Sequence, residues 1–184
     1  MSKSFLNNHK VRGLRNNNPG NLIRTSDAWQ GKIPFPQSKD VKFEQFTAVK
    51  FGLRAMLKDL IHDINKGKNT VNQLINEYAP SVENDTKAYI LKVCQTLGVK
   101  PTDKLTEINN SFLILLSRAI IKVELGASHT LITDSDINDA IQLLGDVSTS
   151  KLKVTITKEK VKMFIPAVVF VVVFFCSLII KNIF

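Results

Sequence analysis

Cysteine is nearly absent from this chain. Cys94 and Cys176 are the two present in 184 residues, too few for a disulfide framework or a cysteine-ligated zinc. Histidine is scarce as well: His9, His62 and His129 lie far apart, and no pair has metal-ligand spacing. The acids show no EF-hand spacing, so no metal is expected. There is no phosphate-cradling glycine loop of either the Walker or the dinucleotide type, so no cofactor is expected. Met1–Lys10 is too polar to be a secretory leader.

What is present is an ordinary apolar share, 44%, which excludes disordered and collagen-like chains. The length suits one domain plus an appendage. The net charge of +9 is uneven. Residues 1–60 carry 11 Lys/Arg against 4 Asp/Glu, residues 61–145 carry 8 against 10, and residues 146–184 carry 6 against 2. A basic N-terminal third suits a polyanionic partner: nucleic acid, anionic lipid or an acidic wall polymer. No nucleic-acid-binding motif accompanies the charge, so a specific nucleic acid is not expected.

Met163–Ile180 (MFIPAVVFVVVFFCSLII) is an uncharged run of 18 residues, long enough to reach across a bilayer core. Such a segment, apolar on every face, reads as a single transmembrane helix over 163–181 rather than a buried core helix. Lys151, Lys153, Lys158, Lys160 and Lys162 precede it, which predicts that the N-terminal domain stays on the cytoplasmic side or its equivalent. Residues 146–162 read as a basic linker, extended or loosely helical. Residues 1–10 read as a tail.

Between them, residues 11–40 are rich in Asn, Gly, Pro and Ser and read as ordered loop. Val41–Phe46 alternates, predicting a short strand with Val41 and Phe43 on one face and a solvated Glu44 on the other. Leu53, Met56, Leu57, Leu60, Ile61 and Ile64 recur at helical spacing and predict a helix over 47–65, stopped by Gly67. Thr70 with Gln73 opens a second helix that ends before Pro80. Asp85 caps a third, running to Leu97. A fourth, the most apolar, covers Ser111–Leu125, and a short fifth covers Asp136–Leu144. The fold class is therefore mainly α, five helices around one small core.

Glu124 stands out among the acids. At about 100° per residue it shares a stripe with Leu113, Ser117, Ile120 and Ile121, opposite Arg118 and Lys122. Desolvation and the negative end of the helix dipole would both raise its pKa. A carboxyl kept protonated near neutrality suits a general acid that protonates a glycosidic oxygen. The plain alternative is a helix-end Glu that bends out to water. Asp85, Asp134 and Asp136 are explained by capping, and Glu77 sits near a helix end. Glu83, in the loop before Asp85, has no such explanation and is the reserve candidate.

The stretch Arg12-Gly13-Leu14-Arg15-Asn16-Asn17-Asn18-Pro19-Gly20-Asn21-Leu22 resembles the GIRNNNPGNI signature of a family of phage virion and prophage proteins. Those are described as structural proteins or as peptidoglycan-degrading enzymes with a lysozyme-like fold. The resemblance continues in order through Trp29-Gln30-Gly31, Phe43-Glu44-Gln45-Phe46, Gly52-Leu53-Arg54-Ala55-Met56 and Tyr78-Ala79-Pro80. It then takes in Glu83-Asn84-Asp85-Thr86 with Tyr89, and Ala119-Ile120-Ile121-Lys122-Val123-Glu124-Leu125-Gly126. It covers residues 11–145 and departs at Tyr78, where Trp is usual, and at Leu125, where Asn is usual. The last segment is also similar to the catalytic helix of lytic transglycosylases, in which the Glu is the acid. In those enzymes that helix comes first, whereas here it comes last, which implies a circularly permuted lysozyme-like domain.

The resemblance implies a peptidoglycan lytic transglycosylase acting at the start of infection or at lysis, with Glu124 as catalytic acid and bacterial peptidoglycan as partner. Asn17, Asn18 and Asn21 have amides suited to N-acetyl groups and sugar hydroxyls, and their alternative role is turn chemistry. Trp29 and Tyr78 would stack on sugar rings, Tyr78 also orienting Glu124 through its phenol, with core packing as the alternative for each. Tyr89 is a further substrate-side candidate, with core packing or a hydrogen bond to the Glu83 loop as its alternatives. A lone acid favours transglycosylation over a two-carboxylate lysozyme. Two other readings compete: a non-catalytic virion protein that links the viral membrane to the capsid, with other virion proteins as partners, and a holin-like pore former. The second leaves the large domain unexplained.

Overall fold

The computed structural model describes residues 2–81, 85–145 and 154–155. Among these the fold is mainly helical. A one-turn helix, α1 (Arg12–Arg15), opens a long loop region that contains a single 3₁₀ turn at Phe35–Gln37. Then come α2 (Val49–Asn65), α3 (Val71–Tyr78), α4 (Thr86–Leu97), β1 (Ile108–Asn109), α5 (Asn110–Leu125), a 3₁₀ stretch at Gly126–Leu131, α6 (Asp134–Gln142) and β2 (Val154–Thr155). The caps expected at Thr70 and Asp85 form: their side chains accept from the Gln73 and Ala88 amides. The last helix begins two residues earlier than its acids suggest, because Thr133 is the true cap and Asp136 closes a capping box with it. Helix α5 likewise starts at Asn110, capped by Asn109.

Helix α2, whose apolar stripe (Leu53, Met56, Leu57, Leu60) is buried, packs against α6, whose Ile137 and Ala140 lie in the same core, while α5 packs against α4 and α6. Helix α5 is central, and Leu113, Leu116, Ile120 and Ile121 on it are fully buried. That accounts for its apolar composition, each such side chain contributing roughly 2 kcal/mol by removal from water.

Three expectations about the loop regions are corrected. Val41–Phe46 forms isolated bridges, Ile23 with Phe43 and Lys32 with Phe46, rather than a strand. Val41 is the most exposed large apolar residue among those described, at 87%. Glu44 is not solvated but buried, at 1% exposure, and its Oε1 accepts from Lys32 Nζ at 2.7 Å and from the Thr25 amide. The segment is irregular, so alternation does not predict its faces. The N-terminal residues are no loose tail: Val49 N–H donates to Lys3 O, Phe5 N–H donates to Asn17 Oδ1, and Lys3 Nζ pairs with Asp136 at 2.7 Å. The expected linker contributes β2, which runs parallel to β1 with Ile108 opposite Val154. The apolar run 163–181 lies outside the described residues. No helix among the described residues is long and apolar enough to cross a membrane.

Candidate active site

The Asn-rich loop after α1 folds back on itself, with Asn17 and Asn21 in the left-handed region at φ 49° and 48°, a conformation Asn tolerates. Its first two candidate amides are used up within the protein. Asn17 and Asn18 are fully buried. Asn17 Nδ2 donates to Ser4 Oγ and Phe46 O, and Asn18 Nδ2 donates to Leu22 O and Glu44 O. Both are sealed from solvent, so the substrate-binding expectation for both is corrected to a structural one: they satisfy backbone carbonyls that the irregular loop leaves unpaired.

Asn21 differs. Its Nδ2 donates to Glu124 Oε2 at 2.8 Å, across 103 residues of chain. Glu124 Oε1 accepts from the Tyr89 hydroxyl at 2.9 Å. The carboxyl is thus held by both oxygens at the last turn of α5. Burial pushes its pKa up, and the hydrogen bonds from Asn21 and Tyr89 hold it back in part. Tyr89 is buried at 4% exposure behind Glu124, so it is corrected from a substrate contact to a residue that positions the carboxyl.

Glu124 lines a cleft of about 810 Å³ together with Gly20, Asn21, Trp29, Asp59, Tyr78 and Pro80. Tyr78 does not reach Glu124 with its hydroxyl, which donates to Gly20 O at 2.5 Å. A Cβ on Gly20 would lie 2.3 Å from that hydroxyl and 2.7 Å from Met56 Sδ, so glycine is what lets the loop close on α2 and α3 here. Glu83 lies outside the described residues. Of the expected site residues, then, the fold brings Glu124, Asn21, Trp29 and Tyr78 to one cleft, places Tyr89 just behind it, and places Asn17 and Asn18 away from it.

The cleft wall also contains residues that pattern reading missed. Asp59, His62 and Asp63 of α2 line it, with Lys66 just past the helix end. They recur at i, i+3, i+4 and i+7, a polar stripe with the same period as the apolar stripe beside it. That spacing was visible in the sequence, but it reads equally as a solvated helix face. Asp27 and Glu77 add two more acids, so the cleft is acidic although the chain is basic. The basic N-terminal third is partly neutralised inside the fold, with Lys3, Arg12 and Lys32 in ion pairs with Asp136, Asp40 and Glu44. Among the described residues no three His, Cys, Asp or Glu side chains converge as a metal ion would need.

No protein-family profile matches the chain. It is similar to Protein P5 of Pseudoalteromonas phage PM2, 35% identical over 104 residues. The match covers 54% of this chain and 64% of Protein P5, so it spans just under two thirds of that relative.

Proposed function

We propose that the chain is a membrane-anchored phage virion protein that cleaves host peptidoglycan by lytic transglycosylation. Its helical domain would be lysozyme-like with circularly permuted order, and residues 163–181 would span the viral internal membrane or the host inner membrane; a viral membrane that inverts or fuses on entry would carry the domain from the cytoplasmic-equivalent side to the peptidoglycan. The observation that carries the reading is Glu124: a half-buried carboxyl with raised pKa at the wall of an open cleft, both oxygens fixed by Asn21 and Tyr89. Trp29 and Tyr78 line the same cleft, partly buried against the core, and would supply aromatic surface to a sugar chain. The likeness to a phage protein supports the phage setting.

Protonated Glu124 would give its proton to the oxygen between N-acetylmuramic acid and N-acetylglucosamine as the C1–O bond breaks. The positive centre that develops would be stabilised by the substrate's own acetamido group. Glu124, now ionised and stabilised by Asn21 and Tyr89, would take the proton of the muramyl C6 hydroxyl as that oxygen closes on C1. The product is a 1,6-anhydro ring. The test is digestion of purified peptidoglycan by the full-length chain and by Glu124→Gln, with mass spectrometry of the products. A 1,6-anhydromuramyl product that vanishes in the variant is expected. No product from folded wild-type protein would leave a structural membrane-linking protein.

A further inference from the structure

Asp40, Glu44, Asp59, Asp63, Glu124 and Asp136 are the carboxylates at least half-buried among the described residues. Five have a partner: Asp40 has Arg12 and Asn16, Glu44 has Lys32, Asp63 has Lys68, Glu124 has Asn21 and Tyr89, and Asp136 has Lys3. Asp59 accepts no hydrogen bond and forms no ion pair among the described residues. It is half-buried and faces the cleft rather than being sealed off, so water in the cleft is the partner left to it. Asp59 lies one helical turn beyond Met56, on the side of α2 that meets Gly20, and lines the cleft that Glu124 lines. Tyr78 lines the same cleft, and its phenol, raised first by its own burial, is raised further by the charges of Glu124 and Asp59.

We propose that Asp59 is a second catalytic carboxylate, which takes a proton from a water molecule as that water attacks the anomeric carbon. The inference rests on Glu124 as the glycosidic acid. Glu124 donates its proton to the bridging oxygen, and the C1–O electron pair leaves with that oxygen as the N-acetylglucosamine 4-hydroxyl. Water oxygen bonds to C1 of the muramyl residue, and the water proton passes to Asp59. The products are a reducing-end N-acetylmuramic acid and a free 4-hydroxyl, with one water consumed. Exchange with solvent then returns the proton to Glu124 and removes it from Asp59. Burial, and the nearby charges of Asp63, Asp27 and Glu77 with His62 opposing, raise the Asp59 pKa and make it a better base than a surface aspartate. The anhydro and hydrolytic routes share their first bond cleavage and divide on the acceptor, the C6 hydroxyl or water.

The experiment digests peptidoglycan in oxygen-18 water with the full-length chain in detergent micelles. Mass spectrometry counts labelled reducing ends and 1,6-anhydro ends for wild type, Asp59→Asn and Asp59→Ser, with melting curves to show that each variant is folded. Wild type is expected to give both kinds of end. The folded Asp59 variants are expected to lose labelled ends by a factor on the order of 10² while keeping anhydro ends. Wild type that makes only anhydro ends would overturn the role of Asp59 and leave that of Glu124 standing. Labelled ends that persist in the variants, or both kinds falling together, would also overturn it. No ends of either kind from wild type would remove both readings.

Discussion

Glu124 occupies a site that costs stability in its ionised form. Its folded pKa lies above the ordinary carboxylate value because of burial. The stability it contributes is therefore fully present below the unfolded pKa, about 4.3, and is lost as pH rises through the folded pKa. Glu124→Gln removes this dependence. At neutral pH the variant should melt no lower than wild type while glycan cleavage falls by roughly 10²–10⁴-fold. A lower melting temperature with the same loss of activity would mean that the residue is structural. Tyr89→Phe removes a hydrogen bond that holds the Glu124 pKa down. The alkaline limb of the pH–activity profile should then move to higher pH. An unmoved limb would dissociate Tyr89 from the titration.

At the scale of the element, α2 and the loops against it carry most of the site's geometry. Gly52 sits where a Cβ would lie 1.9 Å from the Asn17 carbonyl oxygen, a backbone atom that cannot turn aside. Gly52→Ala should therefore cost about 2 kcal/mol or more, read by chemical denaturation, and should loosen the loop that carries Asn21. The same loop is tied from the other side by Asp40. Burial works to raise its pKa, but bonds from Arg12, Asn16 and the Phe43 and Lys42 amides bring it well below the carboxylate range. The stability from Asp40 is thus present above its unfolded pKa, about 3.9, and lost as pH falls toward the folded value. Asp40→Ala should cost about 3 kcal/mol at neutral pH and flatten the acid limb of the stability curve. A steep acid limb in the variant would assign the effect elsewhere.

At the scale of the whole molecule, the first residues act as a clasp between distant parts. Lys3 reaches Asp136 and the Leu131 carbonyl, while Phe5 and Ser4 bond the Asn17 side chain. Removing residues 2–6 should lower the melting temperature measurably and, through Asn17, disturb the loop next to the cleft. An unchanged melting curve would show the clasp to be idle. The proposed anchor predicts that the full chain floats with liposomes on a density gradient and that a chain ending at residue 150 does not.

Periodicity alone was enough to locate α2, α3, α4 and α5 and to put Glu124 on an inward stripe, because helical spacing and capping are local properties of the chain. The mainly helical class follows from them. Glu44, Asn17 and Asn18 were misread because they lie in irregular backbone, where no period says which side is inside. Asp59 was missed because a polar stripe looks the same whether it meets water or a cleft. Local properties of the chain were enough to set which segments are helical, where they stop, and the 163–180 apolar run. Long-range packing was needed to bring Asn21, Tyr89 and Glu124 into one hydrogen-bonded group, to set Asn17 and Asn18 on the protein's own carbonyls, and to place Asp59 in the shared cleft. The reason is physical: all but one of these hydrogen bonds join residues tens to more than a hundred positions apart, and packing, not local propensity, sets which polar groups are withdrawn from water and which partners they meet there.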